Sequence, residues 1–268
     1  VYALEALDVE RSFGPTKALA GCTIRLRLGR VHSLLGENGS GKSTLVKLLS
    51  GVLQPDRGAI RVGGNDTSLA SPADAQCLGI ATVFQELLNV PQRSVLENIL
   101  LGADQRMVLR DRMAVRRRRA QEVLELVGIP ELRLTDTLKE LPLALQQLVA
   151  ISRALVRKPS VLILDEATSA LDVRARDYLF RYLGDASSGI AVLFITHRID
   201  EILAIADEVT VLRGGVTVVT EEPMERANVD TLVTAMSVPA TPTGDSPPAS
   251  SIGNSHSLSS PARREDGS

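Results

Sequence analysis

An α/β fold, with a mostly parallel sheet covered on both sides, is predicted by three stretches of this chain. The segment Val31-His32-Ser33-Leu34-Leu35 reads as a short buried strand that runs into a glycine-rich turn. Leu45, Leu48, Leu49 and Val52 then recur at helical spacing as one apolar face. Further on, Val161-Leu162-Ile163-Leu164 and Ala191-Val192-Leu193-Phe194-Ile195 are continuous apolar runs, the pattern of strands buried on both faces.

The bulk properties fit that class. A chain of 268 residues holds one large domain, or one domain with a subdomain. Its hydrophobic share is 44% but only 3% is aromatic, with no Trp, so the core must be aliphatic. A formal net charge of −2 gives no footprint for nucleic acid, and none is expected as a partner. Cys22 and Cys77 fit neither a disulfide framework nor a metal site, as in a reducing compartment. No apolar run approaches the roughly 20 residues of a membrane helix, and the opening residues lack a signal-peptide core. Work at a membrane would therefore need another subunit to hold the chain there. The chain opens on Val1 instead of Met, which leaves room for an upstream segment.

Taken in order, residues 2–28 are expected to form antiparallel strands, broken by the turn Phe13-Gly14-Pro15-Thr16. Phe13 could stack on a purine or simply be a half-buried turn aromatic. The helix after the glycine-rich turn is expected to end at Gly51, Ala59 to Val62 reads as a strand, and Gly63-Gly64-Asn65-Asp66 as a turn. Ser71-Pro72 reads as a helix start, with Ser as N-cap and Pro at the first helical position. Ile80 to Phe84 is a further strand, with Gln85 at its end. From Glu86 to Ser160 the periodicity is helical: Val95, Ile99 and Leu100 mark one helix, Ala114 to Val127 another, Leu143 to Arg157 a third. Arg116 to Arg119 would occupy every side of the second helix, which suits solvent or an acidic partner surface better than a reading face. Helices at Val173 to Leu183 and Ile199 to Ala206 flank the second apolar run. Val209 to Leu212 and Val216 to Val219 form a hairpin around Gly214-Gly215. After Val238 the composition turns to Ser, Pro, Ala, Gly, Thr and charge, which cannot offset its ordering entropy, so 238–268 is expected to be a disordered tail or linker. The folded domain is then 1–237, with a helical subdomain at about 86–159.

Chemistry gathers at two places. Gly36-Glu37-Asn38-Gly39-Ser40-Gly41-Lys42-Ser43-Thr44 has the spacing G-x-x-x-x-G-K-[ST] between a strand and a helix. Its glycines let the backbone wrap a phosphate chain, its N–H groups and the helix end point inward, and Lys42 adds a full charge. Ser43 offers a hydroxyl to Mg²⁺. Such a loop binds a nucleoside triphosphate. Asp165 and Glu166 follow a buried strand directly, so they emerge at the same edge of the sheet. Asp165 suits a Mg²⁺ site, and Glu166 can polarise the water that attacks a γ-phosphate. His197 holds the equivalent position after the other buried strand, while His32, just before the loop, reads as structural.

The ordered set resembles the ATP-binding subunit of ABC transporters over most of residues 4–236. The resemblance makes Gly36 to Thr44 the Walker A motif, Val161 to Asp165 the Walker B motif and Glu166 the catalytic carboxylate. It makes Gln85 the Q-loop glutamine, also a Mg²⁺ ligand beside Ser43 and Asp165, and places the D-loop at Ser169-Ala170-Leu171-Asp172. His197 becomes the switch histidine and Phe13 the adenine-stacking aromatic. Gly36-Glu37-Asn38-Gly39, Gln85-Glu86-Leu87, Glu97 to Gly102 and His197 to Ile202 are similar to the simple-sugar importers of ribose, galactose or xylose type. The resemblance implies a P-loop ATPase fold of ABC type, ATP and Mg²⁺ as ligands, and import of a small solute, a sugar. It also implies permease subunits in the membrane, a second cassette, an extracytoplasmic solute-binding protein, and a peripheral place on the cytoplasmic face. The alternatives are a soluble ABC ATPase outside transport, or a poorly hydrolysing regulatory cassette.

Two departures bear on that last alternative. The family's signature segment falls at Leu141-Pro142-Leu143-Ala144-Leu145, where Pro replaces Ser and Ala replaces Gly. Pro142 has neither hydroxyl nor N–H to offer the ATP of an opposing subunit. Ala167 replaces the usual Pro after the Walker B carboxylate. The expectation is a chain that binds and hydrolyses ATP with its own motifs, serves poorly as the cap of a partner's nucleotide, and supplies the hydrolytic half of an asymmetric pair.

Overall fold

The computed structural model describes residues 1–103, 113–184, 189–225 and 229–237. The tail expected at 238–268 lies outside the described residues.

Two sheets organise the fold. The first is antiparallel, in the order β2-β1-β4-β5, from β1 (Tyr2–Phe13), β2 (Thr16–Arg27), β4 (Arg57–Val62) and the short β5 (Asn65–Asp66). The second has the order β10-β9-β3-β8-β7-β6. Here β3 (Val31–Leu35), β6 (Ile80–Val83), β7 (Val161–Asp165), β8 (Ala191–Ile195) and β9 (Glu208–Arg213) run parallel, and β10 (Val216–Pro223) closes one edge as an antiparallel hairpin with β9. Every residue of β3, β7 and β8 is buried, as continuous apolar runs require.

Alternation along those strands divides the interior. Leu162 and Leu164 of β7, with Val192 and Phe194 of β8, face one core shared with α3 (Val95–Leu100), α4 (Met113–Leu126), α5 (Leu143–Leu155) and α6 (Val173–Gly184). Val161 and Ile163, with Ala191, Leu193 and Ile195, face a second core shared with α1 (Lys42–Leu49) and the antiparallel sheet. Leu45, Leu48 and Leu49 of α1 are fully buried there, each stabilising the fold by roughly 2 kcal/mol of apolar transfer. Val52 does not belong to that face. The helix ends at Leu49, Gly51 turns the chain at φ 72°, and Val52 is 47% exposed. The glycine ends the helix before the spacing is completed.

Local signals set most other boundaries. The Ser71 side chain accepts from the Asp74 N–H at the start of α2 (Pro72–Cys77), with Pro72 at the first helical position. A reciprocal capping box between Ser94 and Glu97 opens α3. After β8 comes α7 (Ile199–Ile205). A helix unforeseen in the sequence, α8 (Val229–Ser237), brings Leu232 into a small third core with Leu35, Ile202, Val209 and Val211.

Candidate active site

The parallel strands deliver the candidate residues to one edge of the sheet. In the order β3, β8, β7, β6, their C-terminal ends carry the phosphate loop, His197, Asp165 with Glu166, and Gln85. Neighbouring strands lie about 4.8 Å apart, so side chains from adjacent ends reach each other.

The phosphate loop is shaped by glycines that nothing else could replace. Gly36 has φ 155°, and a Cβ there would sit 2.3 Å from the Leu212 carbonyl oxygen and 2.5 Å from Ser40 Oγ. Gly41, the N-cap of α1, has φ 107°, and a Cβ would meet the Ala18 carbonyl at 2.6 Å. Between them Glu37, Asn38 and Gly39 are exposed, and Ser40 is buried. Lys42, Ser43 and Thr44 form the first turn of α1. The Lys42 ammonium donates to the carbonyls of Gly36 at 2.6 Å and Glu37 at 2.9 Å. That uses two of its three N–H donors. Burial holds it below the usual lysine range, against the pull of Glu166 and Asp165.

Asp165 closes β7 at 8% exposure. Its carboxyl is raised to about 6, first by burial and then by the adjacent Glu166, with Lys42 and Lys47 opposing. Glu166 takes a left-handed backbone at φ 49° while its N–H bonds the Ile195 carbonyl at 2.9 Å. A non-glycine residue held there costs about 1–3 kcal/mol, and the turn aims the carboxylate between two neighbours. The Gln85 amide donates to Glu166 Oε2 at 3.0 Å, and His197 Nδ1 lies 3.6 Å from Glu166 Oε1. Gln85, Glu166 and His197 are thus brought together.

Phe13 stands apart from this group. It ends β1 at the hairpin tip, 47% exposed, with the Arg11 guanidinium 5.3 Å from its ring centroid. His32 is fully buried and bonds Thr210 Oγ1 at 2.8 Å, as a structural histidine would. Pro142 is the N-cap of α5 and gives no side-chain cap. Asp172 accepts from the Ala175 N–H at 2.8 Å and so caps α6.

Sequence reasoning missed one group of residues at this edge. Glu201, in the first turn of α7, is 1% exposed and accepts from both Thr168 and Thr196 at 2.8 Å. An acid in a first helical turn reads as a solvated side chain, and only the threonine directly before His197 hinted otherwise.

A cation at Asp165 has modest protein support. Among the described residues, no group of three or more His, Cys, Asp or Glu side chains is assembled to hold a metal. A divalent ion there would complete its shell with the Ser43 hydroxyl, phosphate oxygens and water, the habit of Mg²⁺.

Comparison with known proteins agrees with this geometry. A family model described as "ABC transporter" matches residues 19–169. The ribose import ATP-binding protein RbsA of Corynebacterium glutamicum is 44% identical over 213 residues, 79% of this chain and 40% of the relative. The protein of the same name from Cereibacter sphaeroides is 37% identical over 266 residues, 99% of this chain and 52% of the relative. The chain therefore spans about half the length of such relatives, or less. Among solved structures, a nucleotide-free ATP-binding cassette from an ABC transporter superposes with TM-score 0.76 at 26% identity, over 87% of this chain and 96% of that one. The dimeric cassette MJ0796, in a post-hydrolysis state with ADP and Pi, gives TM-score 0.74 at 25% identity, over 84% of this chain and all of its own.

Proposed function

The chain belongs to the ABC transporter family of ATP-binding proteins, and on that premise we propose that it binds and hydrolyses ATP to drive import of a small solute, a sugar, through a separate membrane permease. The observation that carries this reading is the Glu166 carboxylate, held between Gln85 and His197 at the edge of the sheet that also carries the phosphate loop. The sugar is supported by the ribose import relatives, of which this chain covers only part.

The residues divide the work. The glycine-shaped loop and the α1 N-terminus wrap the phosphates, and Lys42 keeps one N–H to offer them. Gln85 occupies one oxygen of Glu166, which leaves the other to accept a proton from water. The water oxygen bonds the γ-phosphorus, the bond from that phosphorus to the β-bridging oxygen breaks, and ADP and phosphate result. His197, 69% exposed at its side chain, is free to bond the oxygens of the transferred phosphoryl group. Asp165 and Ser43, with the Gln85 carbonyl oxygen, would hold Mg²⁺, which neutralises charge on the β- and γ-phosphates.

The partners follow the same reading. A groove of about 360 Å³ between β6 and α5 has largely apolar walls, one exposed carboxylate, Glu86, and two half-buried guanidiniums, Arg153 and Arg157. They donate to backbone carbonyls of Leu88 and Leu101 instead of to carboxylates, so an acidic, apolar helix end of the permease fits it. The chain would sit peripherally on the cytoplasmic face, with an extracytoplasmic solute-binding protein acting through the permease. Pro142 and Ala144 favour pairing with a second, unlike cassette, this chain being the hydrolytic half.

The test is twofold. Purified full chain with MgATP should release phosphate, and a strain lacking the gene should lose uptake of labelled ribose or a related sugar. No phosphate release, alone or with its permease, overturns the enzymatic part. Unchanged sugar uptake overturns the substrate.

A further inference from the structure

Glu201 has no role in the chemistry above, yet it is a buried carboxylate beside the reacting groups. Its Oε2 accepts from the Thr168 hydroxyl at 2.8 Å and from the Thr196 hydroxyl at 2.8 Å. Thr168 lies in the loop after β7, two positions beyond Glu166, and Thr196 directly precedes His197 after β8. Its Oε1 lies 3.2 Å from Arg198 and 3.9 Å from Arg176, close enough for ion pairing, though the first is too poorly aligned and the second too long to count as a hydrogen bond. Arg176 is itself fixed over the Phe180 ring at 5.8 Å, and Phe180 meets Phe194 of β8 edge to face.

Burying a carboxylate is a poor way to gain stability, because desolvation offsets most of its attraction to the arginines. What this carboxylate does supply is geometry. Beside the main-chain bond from the Glu166 N–H to the Ile195 carbonyl, a single side-chain oxygen bridges the two loops, and each loop carries one member of the Glu166–His197 pair.

We infer that Glu201 is a positioning residue: it ties the loop after β7 to the loop after β8, so that Glu166 and His197 keep one separation. The inference rests on the hydrolytic reading given above. In the free chain the tie holds the pair at 3.6 Å. Without it, the main-chain bond from the Glu166 N–H to the Ile195 carbonyl still joins the strand ends, but the loops beyond loosen and the carboxylate meets the attacking water in the productive orientation less often.

The test uses the full chain and the variants Thr168→Val, Thr196→Val and Glu201→Gln, with Thr168→Ser and Thr196→Ser as conservative controls. The Val variants keep the volume and delete one donor each, Thr196→Val also removing the acceptor of the Arg198 N–H, whereas the Ser variants keep the hydroxyl. Three quantities are measured: kcat and KM for MgATP, MgADP affinity by calorimetry, and hydrogen exchange at the amides of Ser169 and Arg198. The expected result is a kcat lowered at least about tenfold in the Val and Gln variants, with KM and MgADP affinity within about twofold. Faster exchange in both loops should accompany it, and the Ser variants should regain most of the turnover. Ser variants that fall as far as the Val variants would reduce the contact to packing and overturn the inference, as would an unchanged kcat. If the unmodified chain binds MgADP but releases no phosphate, the hydrolytic reading fails on its own. The exchange data then decide: deleting the Thr168 hydroxyl must speed exchange at Arg198, across the bridge, and its failure to do so overturns the tie.

Discussion

The Gln85 amide meets the Glu166 carboxylate at 3.0 Å although the two lie 81 positions apart in the chain. One leaves the end of β6 and the other the end of β7, and those strands are neighbours in register from Ile80 opposite Val161 to Val83 opposite Leu164. The contact is therefore a product of sheet order, and it engages Oε2 of Glu166 while leaving Oε1 clear of the amide.

Replacing Glu166 with Gln keeps the amide contact and the volume while removing the proton acceptor. Hydrolysis at saturating MgATP should fall by about 10²–10⁴, the usual range for a general base, while nucleotide affinity stays near that of the unmodified chain. Phosphate release and equilibrium binding measured on the same samples check both halves. Turnover that hardly changes would remove Glu166 from the chemistry.

Lys42→Ala deletes the half-buried ammonium but leaves the glycine cradle in place. Affinity for ATP should drop by about tenfold to a hundredfold, the equivalent of roughly 1.4–2.7 kcal/mol, and that for AMP, which lacks the β- and γ-phosphates, should change little. Titration with a fluorescent ATP analogue and competition by AMP would check it. Equal losses for both nucleotides would show that the loop had collapsed instead.

Asp165 makes a pH dependence with a definite sign. Its folded carboxyl is raised to about 6 from 3.8, so the folded state binds the proton more tightly than the unfolded chain does. The nucleotide-free protein therefore loses stability as pH rises from about 4 to about 6, and the loss is complete above that. Asp165→Asn should raise the unfolding free energy at pH 7.5 by about 1–2 kcal/mol, after allowing for partial solvent screening, and change it little at pH 4. Affinity for Mg²⁺ in the presence of ADP should weaken below pH 6, where the carboxyl is protonated. Urea melts and Mg²⁺ titrations across that range read both effects, and a stabilisation independent of pH would contradict the assignment.

The α5 N-terminus offers a test of pairing. Pro142 gives its helix no side-chain cap, so two copies of this chain would face each other's ATP with one hydroxyl and one N–H missing. Loss of one preorganised donor costs about 10²–10³ in rate where charge develops. Pro142→Ser with Ala144→Gly should raise the ATPase rate of the isolated chain clearly above that of the unmodified protein. Brisk, cooperative turnover by the unmodified chain would argue against an unlike partner.

Much of this architecture was legible in the sequence because its strongest signals are local. Strands buried on both faces show as continuous apolar runs, and β3, β7 and β8 fall where those runs lie. The phosphate loop is equally plain, since only glycine tolerates φ 155° and 107° with carbonyl oxygens so near. The helix after it was expected to end at Gly51, two residues past its observed end at Leu49, and only Val52 was misplaced, because it keeps the spacing beyond the glycine. The bridge from Glu201 to Thr168 and Thr196 was illegible: it spans 33 positions on one side and 5 on the other, and no residue type along the way announces it. The guanidiniums in the groove were hidden for the same reason, their partners being main-chain carbonyls 65 and 56 positions away.

The place of β3 between β8 and β9 has a consequence for synthesis. The phosphate loop leaves the ribosome well before the strands that flank its own strand, which pair Val31 with Val192 and His32 with Glu208. Until those late segments emerge, the nascent chain carries a glycine loop on an unpaired hydrophobic strand. Nucleotide cannot assist the first stages of folding, and a chain truncated before β8 should be a client for chaperones and proteases rather than a weaker ATPase.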